Sequence, residues 1–190
     1  MHSGSAFSAY RQMSAQMGME STEFRGLIEQ HQRMVFSIAL RVTGEYGVAE
    51  EVAQDVFLEL YRGADKLEGP DHTKFWLRRV TVNKATDSLR RKARRPEAVA
   101  EEWMEEQHVA DSAWMSPKLN PAVEARLEDL LRTLPEPMRI AVVLRHQEEM
   151  LPDEIAALLG QPVATVKSHL QRGLQLLRRK AAVTMKEYVR

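Results

Sequence analysis

The stretch Pro152-Asp153-Glu154-Ile155-Ala156-Ala157-Leu158-Leu159-Gly160-Gln161-Pro162-Val163-Ala164-Thr165-Val166-Lys167-Ser168-His169-Leu170-Gln171-Arg172 decides the fold. Ile155, Ala156, Leu158 and Leu159 recur at helical spacing behind a first-turn proline, and Gly160 ends that short helix. Only Gly160, Gln161 and Pro162 separate it from a longer helix with Val163, Val166, Leu170, Leu174 and Leu177 on one side. A short helix, a tight turn and a longer basic helix form the helix-turn-helix pattern, whose second helix enters the DNA major groove with its N-terminal residues at the base edges. That helix offers Thr165, Lys167, Ser168, His169, Gln171 and Arg172, and such hydroxyl, amide, imidazole and cationic groups serve base edges or phosphates. A solvated helix surface has a similar composition, so the turn length and the charge pattern carry the reading toward DNA.

Upstream, Asn120-Pro121 is a cap followed by a first-turn proline. Leu127, Leu130, Leu131 and Leu134 then mark a helix that Pro135 and Pro137 end, and Met138, Ile140, Ala141, Val143 and Leu144 build the next one. Nearer the N-terminus, Thr22 is placed to cap a helix carrying Phe24, Leu27, Ile28, His31, Val35, Ile38, Ala39 and Val42, stopped by Gly44. A second helix puts Val48, Val52, Val56 and Leu60 on one face and Glu50, Glu51, Gln54, Asp55 and Glu59 over much of the remainder. Gly63 and Gly69-Pro70 punctuate the chain, and a third helix is expected from about Lys74 to Arg94 with Leu77, Val80, Ala85 and Leu89 inward. No strand-like alternation occurs, so the fold class is all-α: two small helical domains joined by a flexible acidic linker, the C-terminal one a helix-turn-helix. The expected division is a poorly ordered tail over 1–20, a helical domain over 21–95, a linker over 96–120 and the helix-turn-helix domain over 121–190.

The 190 residues carry 27 basic and 27 acidic side chains, a balance that hides strong segregation. Between Lys74 and Arg95 the only acid is Asp87, whereas Pro96 to Asp111 has six acids and no Lys or Arg. Beyond Pro162 the sign is positive again, opposed only by Glu187. A block of charge is what another molecule feels within a Debye length of about 10 Å. The first basic block also holds Phe75 and Trp76, with Tyr61 nearby; cations with aromatic faces suit single-stranded DNA, although aromatics at helical spacing also serve a core. Asn83, a carboxamide in mid-helix, can donate to and accept from a base edge.

These residues resemble the bacterial sigma factors of the extracytoplasmic-function type, which have only sigma-70 regions 2 and 4, over about Phe24 to Lys180. Val48-Ala49-Glu50-Glu51-Val52-Ala53-Gln54-Asp55-Val56-Phe57 resembles the region 2 helix that docks on the β′ coiled coil of RNA polymerase, which implies polymerase contacts by Glu50, Glu51, Gln54, Asp55 and Glu59. Phe75-Trp76-Leu77-Arg78-Arg79-Val80-Thr81-Val82-Asn83, with Asp87 and Leu89-Arg90-Arg91, resembles the segment that melts the −10 element. The resemblance implies −10 contacts by Tyr61, Trp76, Arg78, Arg79, Asn83, Lys84, Asp87, Arg90 and Arg91. Leu134-Pro135, Asp153-Glu154-Ile155-Ala156 and Thr165-Val166-Lys167-Ser168 resemble region 4, which reads the −35 element and meets the β flap. The −35 contacts so implied are Thr165, Lys167, Ser168, His169, Gln171 and Arg172. The implied partners are core RNA polymerase, promoter DNA and an anti-sigma factor. Against the family pattern, Ala164 and His169 flank the Thr-Val-Lys-Ser run, Gly173-Leu174 replace a common Ala-Arg pair, and Leu151 stands where a hydroxyl cap is usual.

The absence of cysteine excludes disulfides and thiolate metal sites and fits a cytoplasmic setting; no apolar run reaches the length of a membrane span. Neither a cofactor nor a metal is expected, and enzyme activity is not: the six histidines have no ligand spacing and there is no glycine-rich phosphate loop. Glu50-Glu51 and Glu148-Glu149 read as adjacent helical residues pointing apart, so neither forms a shared-proton dyad. The alternative function is a helix-turn-helix regulator without a sigma role, which leaves Asn83 and the charge segregation of the first domain without a purpose.

Overall fold

The computed structural model describes residues 21–63, 67–94 and 121–188, so the tail expected over 1–20 and the linker expected over 96–120 lie outside the described residues. Seven elements occur, all α-helices: α1 Ser21–Thr43, α2 Tyr46–Gly63, α3 Gly69–Arg94, α4 Pro121–Arg132, α5 Glu136–His146, α6 Pro152–Leu159 and α7 Val163–Tyr188. There is no strand among the described residues, and none of the described helices is long and apolar enough to cross a membrane.

Helices α1, α2 and α3 pack pairwise into the first helical domain. The spacing of three and four along α1 buries Phe24, Ile28, His31, Val35, Ile38, Ala39 and Val42. Its end is set by Gly44 at φ +77°, whose N–H donates to the Leu40 carbonyl at 2.7 Å in a conformation that costs little without a Cβ. From α2 come Ala49, Val52, Ala53, Val56, Phe57 and Leu60, and from α3 Leu77, Val82 and Ala85, with Val80 and Leu89 half-buried against the same core.

Three local expectations are corrected. Helix α3 begins at Gly69 rather than near Lys74, because Pro70 starts the helix instead of breaking it, and Thr73 Oγ1 donates to the Gly69 carbonyl at 2.9 Å. Pro137 likewise lies in the first turn of α5, with Pro135 at its N-cap, rather than ending α4. Glu148 and Glu149 are not helical: α5 stops at His146, and the chain reverses through Glu149 at φ +57°, with Met150 N–H donating to the Leu144 carbonyl at 3.1 Å.

In the second domain α5 and α6 lie against α7, and the turn between α6 and α7 depends on Gly160 at φ +62°, where Gln161 N–H donates to the Ala156 carbonyl at 3.0 Å. Leu151, exposed ahead of α6, has no side-chain acceptor to cap it; Glu154 instead reaches back to accept the Leu151 N–H at 2.6 Å, which is half of a capping box. Leu131, Leu134, Val142 and Val143 form a small core with Leu127, Leu170, Leu176 and Leu177 around it.

The opposite side of α5 leads elsewhere. Ile140 and Leu144, with Met150, Ile155, Ala156, Leu158 and Val166, join the same apolar cluster as the core of α1, α2 and α3, so the two domains share a continuous interior. Helix α1 contacts α4 and α5, and α3 contacts α6.

Gly173 shows how closely α7 and α5 approach, since a Cβ there would lie 2.9 Å from Cγ2 of Val142, a stiff β-branched side chain in a buried helix. Gly26, exposed on α1, has nothing within 4 Å of the same added atom. Gly26→Ala is expected to stabilise the protein by about 0.5 to 1 kcal/mol through helix propensity, whereas at Gly173 overpacking of about 1 to 3 kcal/mol outweighs that gain. Urea denaturation of the two variants should therefore shift the midpoint in opposite directions.

Candidate nucleic-acid interface

On α2, Glu51, Asp55 and Glu59 stand four residues apart and form one exposed stripe, with Glu50 and Gln54 half-buried beside it. Like charges at this spacing weaken a helix by a few tenths of a kcal/mol per pair, so the stripe is a local conflict of the kind found at functional surfaces. Part of it is relieved by α3: Lys84 Nζ lies 2.9 Å from Glu59 Oε2 and 4.0 Å from Asp55 Oδ2. The two helices bound a groove with Glu51, Gln54 and Asp55 along one wall and Lys84, Arg90 and Arg91 along the other.

The residues expected to meet the −10 strand lie mostly along α3. Trp76, Arg79, Asn83, Asp87 and Arg90 recur at intervals of three and four and so share a stripe. Arg79, Asn83, Asp87, Arg90 and Arg91 are exposed, while Trp76 is half-buried against the core. The Tyr61 ring, also half-buried, packs edge-on against Phe24 with centroids 5.2 Å apart. Arg90 is 3.9 Å from Asp87, both of them largely exposed, and Lys92 pairs with Glu45 at 2.7 Å.

Arg78 is placed differently from its neighbours. One residue before Arg79, it is rotated by about 100° around α3 and faces the second domain. Its Nη2 is 2.9 Å from Glu148 Oε2 and donates to the Glu148 carbonyl at 3.1 Å, while Nε donates to Oε2 at 2.9 Å. Gln147, next to Glu148, accepts from Arg41 Nη1 at 2.6 Å and donates to Ser37 Oγ at 2.7 Å and Glu148 Oε1 at 2.9 Å. Sequence reasoning missed Ser37, Arg41, Gln147 and Glu148. The available signal was Ile140-Ala141-Val142-Val143-Leu144, since a helix apolar all round must be covered on more than one side.

On α7, Lys167, Gln171 and Arg172 are exposed, Thr165 and Ser168 are half-buried, and the half-buried His169 encloses its Nδ1 with no hydrogen-bond partner in the structure. Val166 is fully buried and Leu170 partly so, which turns the polar side of the helix outward.

One three-helix body thus carries an acidic stripe on α2 and a polar and basic stripe on α3, and a helix-turn-helix follows it in the chain. The sigma-70 region 2 model matches residues 27–95 and the sigma-70 region 4 model matches residues 124–177, together more than half of the chain. The chain belongs to the sigma-70 family. Its relatives place it in the extracytoplasmic-function (ECF) group of that family. The ECF RNA polymerase sigma factor SigE of Mycolicibacterium smegmatis is 33% identical over 156 residues, which span 80% of this chain and 59% of that protein. The RNA polymerase sigma-H factor of Pseudomonas aeruginosa is 29% identical over 159 residues, 80% of this chain and 82% of that one. In fold, this sigma factor is similar to the sigma factor RpoE of Bartonella quintana, solved in complex with the anti-sigma factor NepR. The TM-score is 0.67 at 19% identity, over 85% of this chain and 98% of that one.

His31 is buried on α1 with Nε2 lacking a hydrogen-bond partner. Burial, then the charges of Lys74 and Arg78, hold its pKa below the ordinary histidine value. The unfolded chain therefore takes up this proton first, and stability is lost as pH falls from about 6.5 through the folded-state value. His31→Leu, similar in volume but unable to titrate, should show a shallower fall in melting temperature than the parent between pH 7 and 5.

Proposed function

We propose that this chain binds core RNA polymerase and directs it to promoters, with region 2 opening and reading the −10 element and region 4 reading the −35 element. The observation that carries the reading is the exposure, within the matched regions, of an acidic stripe on α2 and separate polar and basic faces on α3 and α7. Opposite potentials on distinct surfaces let one chain meet a basic polymerase surface and phosphate at once, and they direct orientation more than they add affinity.

In this assignment Glu50, Glu51, Gln54, Asp55 and Glu59 dock on the β′ coiled coil. Tyr61, Trp76, Arg79, Asn83, Lys84, Asp87, Arg90 and Arg91 line the path of the non-template strand, joined by Arg78 when it is released from Glu148. Thr165, Lys167, Ser168, His169, Gln171 and Arg172 address the −35 duplex, and region 4 also meets the β flap. With Nδ1 enclosed, His169 has Nε2 left for DNA. Bases taken out of the duplex cost a few kcal/mol each, which the strand path on α3 has to return. The chain acts in the cytoplasm as a binding subunit with no chemistry or cofactor of its own, and an anti-sigma factor is its regulatory partner.

Run-off transcription with core polymerase over a genomic promoter library tests the reading, and no response from any promoter would overturn it. Lys167→Ala and Arg172→Ala are each expected to weaken duplex binding and to reduce the log–log salt slope by about one unit per lost phosphate contact. Filter binding across a salt series checks this, and an unchanged slope in both variants would remove α7 from the interface. Asn83→Ala should impair strand opening more than recruitment, so permanganate footprints at the −10 element should fade while polymerase occupancy is largely retained.

A further inference from the structure

A groove of about 570 Å³ lies between α4 and the C-terminal half of α7, and none of its lining residues belongs to the sets assigned above to polymerase or DNA. Leu130 and Leu176, both half-buried, supply its apolar surface, and Leu176 also packs on the small core around Val142. Arg126, Arg179 and Lys180 line the same groove and are exposed. The one acid of the lining, Asp129, faces Arg132 at 3.7 Å. Among the described residues Arg126, Arg179 and Lys180 form no ion pair. Leucines beside three cations suit a partner that sets a large apolar side chain between carboxylates. A phosphate would answer the cations and leave the leucines uncovered.

The chain itself contains such a partner. Residues 95–120 lie outside the described residues, and their sequence includes Glu101-Glu102-Trp103-Met104-Glu105-Glu106. A segment that has only to stay solvated is poor in aromatics. Yet two of the three tryptophans of the chain, Trp103 and Trp114, fall here, each followed by a methionine. Only the first pair is flanked by acids, since Trp114-Met115 stands between Ala113 and Ser116. Tryptophan is enriched among the side chains that dominate contact energies, and methionine adapts to an irregular surface. The reach is ample: the 17 residue steps from Met104 to Pro121 span up to about 55 to 60 Å, and Leu130 is nine residues into α4, about 14 Å along the helix. A short tether holds its end at an effective concentration on the order of 1 mM, so a contact too weak to join two molecules in dilute solution still forms within one.

We infer that Trp103 and Met104 dock in the groove between α4 and α7, with the four flanking glutamates set against Arg126, Arg179 and Lys180. Docking gives the exposed cations near the C-terminal end of α7 a counter-charge and covers Leu130 and Leu176. It also shortens the free connection between α3 and the helix-turn-helix domain to the residues before Glu101. The inference concerns the chain alone and does not depend on the sigma-factor reading.

The test uses the full chain, which has no native cysteine. Gln175→Cys, exposed and four residues before Arg179, accepts a bimane dye, whose emission tryptophan quenches on contact and phenylalanine does not. Trp103→Phe should raise the emission of the labelled protein by about twofold or more, as expected if a dark docked form holds at least half of the population. Trp114→Phe should leave it unchanged. Raising salt from about 0.1 to 1 M, which shortens the Debye length from about 10 to 3 Å, should brighten the parent and not Trp103→Phe. Arg179→Glu with Lys180→Glu should also brighten it, and adding Glu101→Lys with Glu102→Lys should restore the quenching, a result that loss of folding cannot produce. Emission unaltered by Trp103→Phe, or raised by Trp114→Phe in its place, would overturn the docking. Quenching that grows with protein concentration would overturn it too, by assigning the groove to a second copy of the chain.

Discussion

Helix α5 is apolar around its circumference at Ile140, Ala141, Val142, Val143 and Leu144, all five buried, and one packing layer cannot cover it. One side is taken by α7 and the small core around Val142 and Val143. Burying a side chain of this size stabilises by about 1.5 to 3 kcal/mol, so Ile140 and Leu144 on the other side also demand a partner. Helix α1 supplies it. The two regions are thereby brought together, and Gln147 and Glu148, just past the end of α5, are carried to Ser37, Arg41 and Arg78.

Taking Arg78 and Glu148 out of water is costly, several kcal/mol per ion after relaxation, and their attraction offsets it only when the remaining donors and acceptors are satisfied. The neighbouring Gln147 and the second hydrogen bond to the Glu148 carbonyl meet that condition. A pair of this kind adds little net stability compared with an apolar substitute, but removing one partner leaves the other as an uncompensated charge in a low-dielectric setting. The exposed pairs of the same molecule differ in kind. Lys84 with Glu59 and Lys92 with Glu45 are open to solvent, and pairs like these contribute about 0 to 1 kcal/mol each. Lys84 is nonetheless informative, because it joins the acidic stripe of α2 to the polar and basic stripe of α3 and makes them adjoining walls of one groove.

Much of this could be read before any coordinates. The all-α class, the inward residues of α1 and α2, and the helix-turn-helix centred on Gly160 follow from spacings of three and four and from punctuation by glycine. Proline reads as punctuation at Pro70 and as a terminator at Pro137, yet at both it occupies a first turn that leaves its missing N–H unneeded. At Glu148-Glu149 acidic residues continued a helical composition, but the chain had already turned through a left-handed residue that composition does not signal. At the candidate sites, the acidic stripe of α2 and the exposed positions of α7 were legible from periodicity, whereas the inward turn of Arg78 was not.

The amino-acid order by itself determined where helices form, which stripe of each is apolar, and how charge is divided along the chain, because these depend on neighbours three or four positions away. Tertiary structure alone decided which charges remain available. Arg78 and Glu148 are 70 positions apart, and Arg41 and Gln147 are 106 apart. No local rule can choose between water, DNA and a distant carboxylate as the partner of a guanidinium; that choice follows from how α5 is covered on its second side.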